Sequence, residues 1–314
     1  MFSITVIIPT MNRPISLNRT LQYMVEGTFV PQQIIVVDQS QDEEIRMQNE
    51  LILNHYSQIK SKVYRYQQEP SLTKARNYGF RFAENEIIVF SDDDVDVHKD
   101  TFEIIKNFFE KDSTIALIGG INEGDENFQP SLISFVLGMA SYKKRTIGHV
   151  SRACYGRFPS LAGEKTPTEW AMGFFFAVRK SLVSKWKLRF DEKLLSYAYA
   201  EDLDFSYSYY LKATEDHLKC IMSKLVKVKH NVSKEYRIPK RYHTFMCVLH
   251  RYYISNKYKM PMYEFYNLWC NLGILLFKIL KNEKSRDMFD AQIFYYRHRK
   301  DVLRGQFLNE LWTN

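Results

Sequence analysis

Apolar and polar positions switch between two periods along the first 120 residues. Residues 4–8 form a β-branched run, and residues 16–25 then place their apolar side chains at helical spacing. Residues 34–37 give a second apolar run, followed by a polar helical stretch over 42–56. A third strand is predicted at 63–66. Ser71 stands where it can cap a helix with Ala75, Tyr78, Gly79 and Phe82 on one side. Residues 87–90 read as a fourth strand, 101–109 as a helix, and 115–118 as a fifth strand ended by Gly119-Gly120. Strands alternating with helices of this length predict βαβ units around a buried, mostly parallel sheet, an α/β fold. In such sheets ligands sit beyond the carboxyl ends of the strands. Those ends read PTMNR, DQS and SDDD, so polar and acidic residues gather where the topology puts a crevice.

The pattern loosens after residue 120. Residues 128–155 read as a helix and loops beside the crevice, 174–178 as a strand, 201–211 as a helix, and 225–228 as a last strand running into His230. Beyond Pro239 the chain turns helical, aromatic and basic. There is no internal repeat. The expected division is a catalytic domain over 1–235 and a helical C-terminal region over 236–314.

Composition narrows the class. The chain has 314 residues and 45% hydrophobic content, enough to bury a sizeable core. Its four cysteines, Cys154, Cys220, Cys247 and Cys270, form no CxxC pair, which argues against a zinc knuckle or redox dithiol and fits a reducing cytosol. The start, MFSITVIIPT, lacks a basic segment and reads as a strand rather than a signal peptide. The net charge of +8 is unevenly placed: residues 234–314 hold 15 Lys+Arg against 7 Asp+Glu, so the first 233 residues are neutral. The tail is expected to meet something anionic.

The acidic run raises the first chemical question. Asp92 and Asp94 lie two apart at a strand end and can turn toward one cleft. A hard cation such as Mn2+ or Mg2+ takes one or two such carboxylates with phosphate oxygens. A solvated acidic turn would read the same way. An EF-hand would use Asp92, Asp94, Asp96 and Glu103, but Val97 stands where its glycine is needed and a strand precedes the loop. Neither GxGxxG nor GxxxxGK[ST] occurs, which argues against a dinucleotide dehydrogenase and a P-loop NTPase.

Taken in order, VIIPTMNRP, VVDQS, TKARNYG, FSDDDV and AEDLDF resemble the motifs of a family 2 glycosyltransferase of the GT-A fold, over residues 3–235. The resemblance implies a nucleotide-binding half over 1–120 and an acceptor half over 121–235. It implies that Pro9, Thr10, Asn12 and Arg13 hold the nucleoside, that Asp38 contacts the base, and that Arg76 lies near the nucleotide. Asp92 would reach the ribose and Asp94 the metal, Mn2+ or Mg2+. Asp93 groups with the nucleotide-binding residues without a role of its own. His230, after the last strand, matches a histidine on the metal or diphosphate. Glu201-Asp202 would stand on the acceptor side, Asp202 being the general base. Without the resemblance, those two acids are simply favourable in a first helical turn. Trp170 reads as a sugar-stacking or a core side chain, and Gly173 as a point of close approach between donor and acceptor.

The implied activity is inverting, metal-dependent transfer from a nucleotide-diphosphate sugar, UDP favoured, to a glycan. The acceptor is expected to be linked to polyprenyl diphosphate, in a bacterial-type surface-polysaccharide pathway. A sugar nucleotidyltransferase would need a glycine-rich segment after the first strand, where PTMNRP has none. A non-catalytic scaffold would not need Asp92, Asp94 and Asp202 together. Within the tail, residues 267–280 are too short and too polar to span a bilayer. Basic and aromatic residues there are expected to lie on an anionic membrane surface, at the inner face of the plasma membrane, or to pair two subunits. The acidic crevice argues against nucleic acid as partner.

Overall fold

The computed structural model describes residues 2–56, 60–65, 69–125, 132–136, 146–194, 196–231, 233–235, 237–283 and 285–307. In chain order the elements are β1 (Ile4–Thr10), α1 (Pro14–Val25), β2 (Gln33–Asp38), α2 (Glu43–His55), β3 (Lys60–Arg65), α3 (Leu72–Phe80), β4 (Ile87–Ser91), β5 (Val95–Val97), α4 (Thr101–Lys111), β6 (Ile115–Asn122) and α5 (Leu132–Val136). There follow β7 (His149–Val150), β8 (Gly156–Arg157), β9 (Thr166–Pro167), β10 (Phe175–Arg179), α6 (Lys180–Lys185), α7 (Glu201–Glu215), β11 (Lys219–His230), α8 (Lys240–Lys257), α9 (Tyr263–Leu280), α10 (Arg286–Arg297) and α11 (Arg299–Leu303).

Nine strands form one sheet, ordered β3-β2-β1-β4-β10-β6-β11-β5, with β9 on β11. β3, β2, β1 and β4 run parallel, as do β6 and β11, while β10 enters antiparallel between β4 and β6. The GT-A arrangement expected from the sequence is therefore present: a mostly parallel sheet flanked by helices, with a helical C-terminal part. Continuous apolar runs such as Ile4–Ile8 and Ile87–Phe90 are wholly buried because helices cover both faces of the sheet.

Two elements differ from those expected. The fifth strand does not stop at Gly119-Gly120 but runs through them. A Cβ on Gly119 would lie 3.3 Å from Ala171, and one on Gly120 would lie 3.0 Å from Phe175. The glycines admit neighbours to the strand rather than ending it. The acidic run is followed by a short strand, β5, that crosses to the far side of the sheet and pairs with β11. Within the expected 128–155 helix-and-loop segment, residues 128–131 and 137–145 lie outside the described residues, and the rest holds α5 and β7.

The C-terminal helices are joined to the rest of the fold. Phe245, Leu249, Tyr252 and Phe294 share one buried cluster with Val150, Trp170, Ala198 and Leu203. α9 is turned inside out. Its polar Asn267 and Asn271 are buried and donate to Ser255 Oγ and Gln292 Oε1 at 3.0 and 2.9 Å. Its apolar Phe265, Trp269, Leu272, Leu276 and Ile279 are exposed, three or four residues apart. Among the described residues no helix is long and apolar enough to cross a membrane.

Candidate active site

A cleft of about 590 Å³ opens at the carboxyl ends of β1 and β4. The acidic turn between β4 and β5 lines it. The register of β5 on β11 sets Val95 opposite His230, which brings the imidazole to the preceding carboxylate. His230 Nε2 is 3.0 Å from Asp94 Oδ1, and the ring stacks on Phe174 with centroids 5.2 Å apart. The ligand atoms of Asp92, Asp94 and His230 all lie within 4.8 Å of one another. Asp94 Oδ2 accepts from Ser233 N–H at 2.7 Å, while Oδ1 is buried and receives no hydrogen bond of proper geometry. A buried carboxylate oxygen without a donor, facing a second carboxylate and an imidazole, is a donor set that fits a small divalent cation. Burial opposes the His230 imidazolium, but Asp94 and Asp92 outweigh it, so its pKa is raised.

The start of α7 lines the same cleft. The chain reaches it through Ser196, Ala198 and Ala200, all at positive φ. Such residues are rarely left-handed unless the surroundings hold them there. Asp202 lines the cleft, and its Oδ2 accepts from Gly173 N–H at 2.7 Å. Burial raises the Asp202 pKa, against the backbone N–H groups of Leu203 and Gly173. A carboxylate made more basic, on the same cleft as a triad whose donor set fits a divalent cation, suits proton abstraction.

Residues 5–182, more than half of the chain, match the family Glycosyl transferase family 2. The chain is a family 2 glycosyltransferase. It is 33% identical over 115 residues to the minor teichoic acid biosynthesis protein GgaB of Bacillus subtilis (strain 168). That stretch is 35% of this chain and 12% of the relative, so the chain spans a small part of that protein. Among solved structures it resembles S. aureus TarS (TM-score 0.50, 18% identity, 80% of this chain and 39% of that one). It also resembles the mannosyltransferase PcManGT from Pyrobaculum calidifontis, solved with GDP-Man and Mn2+ (0.56, 14%, 99% and 87%). GalNAc-T7, solved with UDP, GalNAc and Mn2+, is similar too (0.56, 16%, 96% and 59%). At these identities the structural likeness speaks for the fold.

Most of the residues picked out from sequence line this transferase's cleft: Pro9, Thr10, Arg13, Arg76, Asp92, Asp93, Asp94, Trp170, Gly173, Glu201, Asp202 and His230. Asn12 and Asp38 do not. Asn12 sits at φ 56° and donates its N–H to Ser40 Oγ. Asp38 is 1% exposed, and its oxygens accept from Ser40 N–H and Asn49 Nδ2, both at 2.9 Å. Arg76 is wholly buried and acts as a tie. Its Nη1 donates to Glu201 Oε1 at 2.7 Å; its Nη2 donates to Asp92 Oδ1 and to the Gly173 carbonyl, each at 2.8 Å. One guanidinium thus joins the acidic turn, the entry to β10 and the start of α7. Burial pushes the Glu201 carboxyl up to about 8 despite Arg76. Asp93 now has a place: it accepts from Thr10 Oγ1 at 2.6 Å and from Arg13 Nη1 at 3.0 Å, fixing the end of β1 against the turn. Burial raises its pKa to about 7.

Gly173 has a local reason to be glycine. A Cβ there would lie 2.9 Å from Asp202 Cβ. Trp170 is 6% exposed; a Cβ on Gly156 would lie 2.5 Å from its ring, and Phe158 packs edge-on against it.

The cleft also has a wall that the sequence motifs did not assign to it. Lys240, His243 and Arg251 line it from α8, with Arg237 just before. Their spacing of three, then eight, puts the helix residues on one face of α8. Part of the basic tail therefore faces inward.

Proposed function

We propose that this family 2 glycosyltransferase moves a sugar, with inversion, from a nucleotide-diphosphate donor, UDP-linked by preference, to a hydroxyl of a phosphate-containing cell-surface glycan. The acceptor hydroxyl oxygen attacks the anomeric carbon, its proton passes to Asp202, and the bond to the diphosphate breaks on the opposite face. Asp92, Asp94 and His230 would hold Mn2+ or Mg2+, which when bound offsets the charge that develops on the departing diphosphate. Thr10 and Arg13, held by Asp93, border the nucleotide. Gly173 N–H and the helix start keep Asp202 aimed. The observation that carries the reading is that Asp202 and the Asp92–Asp94–His230 triad open on one cleft. Neighbours of this fold solved with UDP-GlcNAc and with GDP-Man and Mn2+ support the donor class and the cation. The stretch shared with GgaB supports a teichoic-acid-like acceptor. Lys281 and Arg286 beside the exposed apolar face of α9 support contact with an anionic membrane surface.

A thermal-shift panel of nucleotide sugars, each with and without Mn2+, tests this. A true donor raises the melting temperature only with the cation, by mass action on the folded state. If no nucleotide diphosphate raises it under either condition, the reading fails.

A further inference from the structure

The α8 wall contains a cation without a counter-charge. Arg251 is buried, and its Nη1 donates to the Cys247 carbonyl at 3.1 Å while its Nη2 donates to the Tyr199 hydroxyl. Its Nε has no partner. The acidic groups that bear on it are Tyr155, Tyr199, Cys247 and Cys270, two phenols and two thiols, and burial pushes up the pKa of each, so all are neutral. Among the described residues no carboxylate is paired with it. The guanidinium lies 3.4 Å from the centroid of the Tyr155 ring, and that of Arg157 lies 4.7 Å from the same ring. The Tyr155 hydroxyl is itself buried without a partner. The fold thus holds a guanidinium with a vacant N–H beside a phenol with a vacant hydroxyl, both lining the cleft. A buried charge left unpaired costs several kcal/mol, and a phosphate is the ligand shape that a guanidinium fork accepts.

We propose that Arg251 and Tyr155, with Tyr199 orienting Arg251 and with Lys240 at the rim, form a second anion subsite that binds a phosphate group of the acceptor. Tyr199 stands three residues before Asp202, so a phosphate held here sets a neighbouring hydroxyl beside the base. The site shares no residue with the Asp92–Asp94–His230 triad. Burial and the cations Arg251, Lys278 and Arg237 all disfavour a proton on His243, which fits a wall whose positive charge awaits an anion. The inference rests on Asp202 being the base.

The test is direct binding to the full chain by calorimetry, with sn-glycerol 3-phosphate and geranyl diphosphate as separate probes and no nucleotide present. UDP with Mn2+ is titrated in a third arm. We expect saturable binding of at least one phosphate probe, weakened about tenfold or more by Arg251→Gln and severalfold by Tyr155→Phe and by Lys240→Ala, with the UDP arm unchanged. Tyr155→Phe removes an unsatisfied hydroxyl and Lys240→Ala alters an exposed residue, so these two carry the test if Arg251→Gln fails to fold. Glycerol phosphate reports a polymer backbone and geranyl diphosphate a lipid-linked end; binding of either supports the subsite. Neither binding, or binding indifferent to all three substitutions, overturns it. A chain that binds the phosphate probes but not UDP would overturn the donor reading instead.

Discussion

Around the acidic turn Arg13 stands 3.0 Å from Asp93 and 3.7 Å from Asp94, and Arg76 spans Glu201 and Asp92. On the α8 wall Arg251 meets phenols, thiols and a carbonyl, and Lys240 and His243 add further basic groups to the same wall. The arginines around the turn are paired with carboxylates, leaving a surplus of acid that suits a divalent ion. Among the described residues no carboxylate is paired with Arg251, Lys240 or His243, leaving a surplus of base that suits an anion. The sharpest way to break this contrast is to separate binding from turnover. Asp202→Asn should keep metal-dependent donor binding and lower transfer by about a hundredfold to ten-thousandfold, the usual worth of a general base. Near-normal turnover in that variant would move the base elsewhere. Asp94→Ala should do the opposite. It leaves Asp202 in place but removes the ligand with the undonated oxygen, so the Mn2+-dependent part of the donor thermal shift should vanish, whereas any metal-independent shift persists.

The acidic side of the cleft was legible because its residues sit in short motifs at strand ends, where the period of the chain already predicts a crevice. PTMNR, SDDD and AEDLDF each bring their side chains to the cleft by their place at an element's end. The roles within them were less legible. Asp93 and Arg76 are defined by long-range partners, Thr10 and Arg13 for one and Glu201 and Gly173 for the other, and no local pattern states such pairings. The α8 wall falls, by sequence, in a stretch expected to face a membrane, because 237–304 is basic and aromatic as a whole. Its inward face appears only when α8 is docked on Ala198 and Leu203. The spacing of Lys240, His243 and Arg251 was a usable signal, but helical periodicity tells which residues share a face, not what that face meets.

The docking of α8 on the segment before α7 can be probed by pH. His250 Nδ1 donates to the Tyr199 carbonyl at 2.9 Å from a fully buried position. Burial, with help from Arg251 and against that hydrogen bond, lowers its pKa from 6.5 to about 4. In the unfolded chain the imidazole takes up a proton as pH falls through its ordinary value; in the folded chain it does not until about pH 4. The stability that neutral His250 contributes is therefore complete above about pH 6.5 and is lost progressively toward pH 4, to a limit of about 3 kcal/mol. Denaturant midpoints measured from pH 7 to 4.5 should fall more steeply for the wild type than for His250→Gln, which keeps a donor but does not titrate. Parallel slopes would mean that the histidine is not buried neutral, and that the tail is not seated on Tyr199.

The smallest expected effect tests how finely the acidic turn and the start of α7 are joined. Gly173 stands between them: its N–H aims Asp202 and its carbonyl accepts from Arg76, which in turn holds Asp92. An alanine Cβ would come to 2.9 Å from Asp202 Cβ and 3.2 Å from both Cγ and Oδ2. The nearest of these atoms is fixed to the start of α7, so rotation of the carboxylate alone cannot relieve the contact, and either the helix start or the entry to β10 must give. A displacement of a few tenths of an ångström at a base that must reach a hydroxyl at hydrogen-bond distance should cost about tenfold in kcat. The triad of Asp92, Asp94 and His230 is not touched, so the donor KM and the Mn2+ requirement should stay near wild type. Steady-state kinetics of Gly173→Ala decide between two accounts of this glycine. A fall confined to kcat means that it serves the aim of Asp202. A rise in donor KM with kcat preserved means that the strain is passed through Arg76 to the acidic turn, and that the turn and the start of α7 are coupled through that one guanidinium.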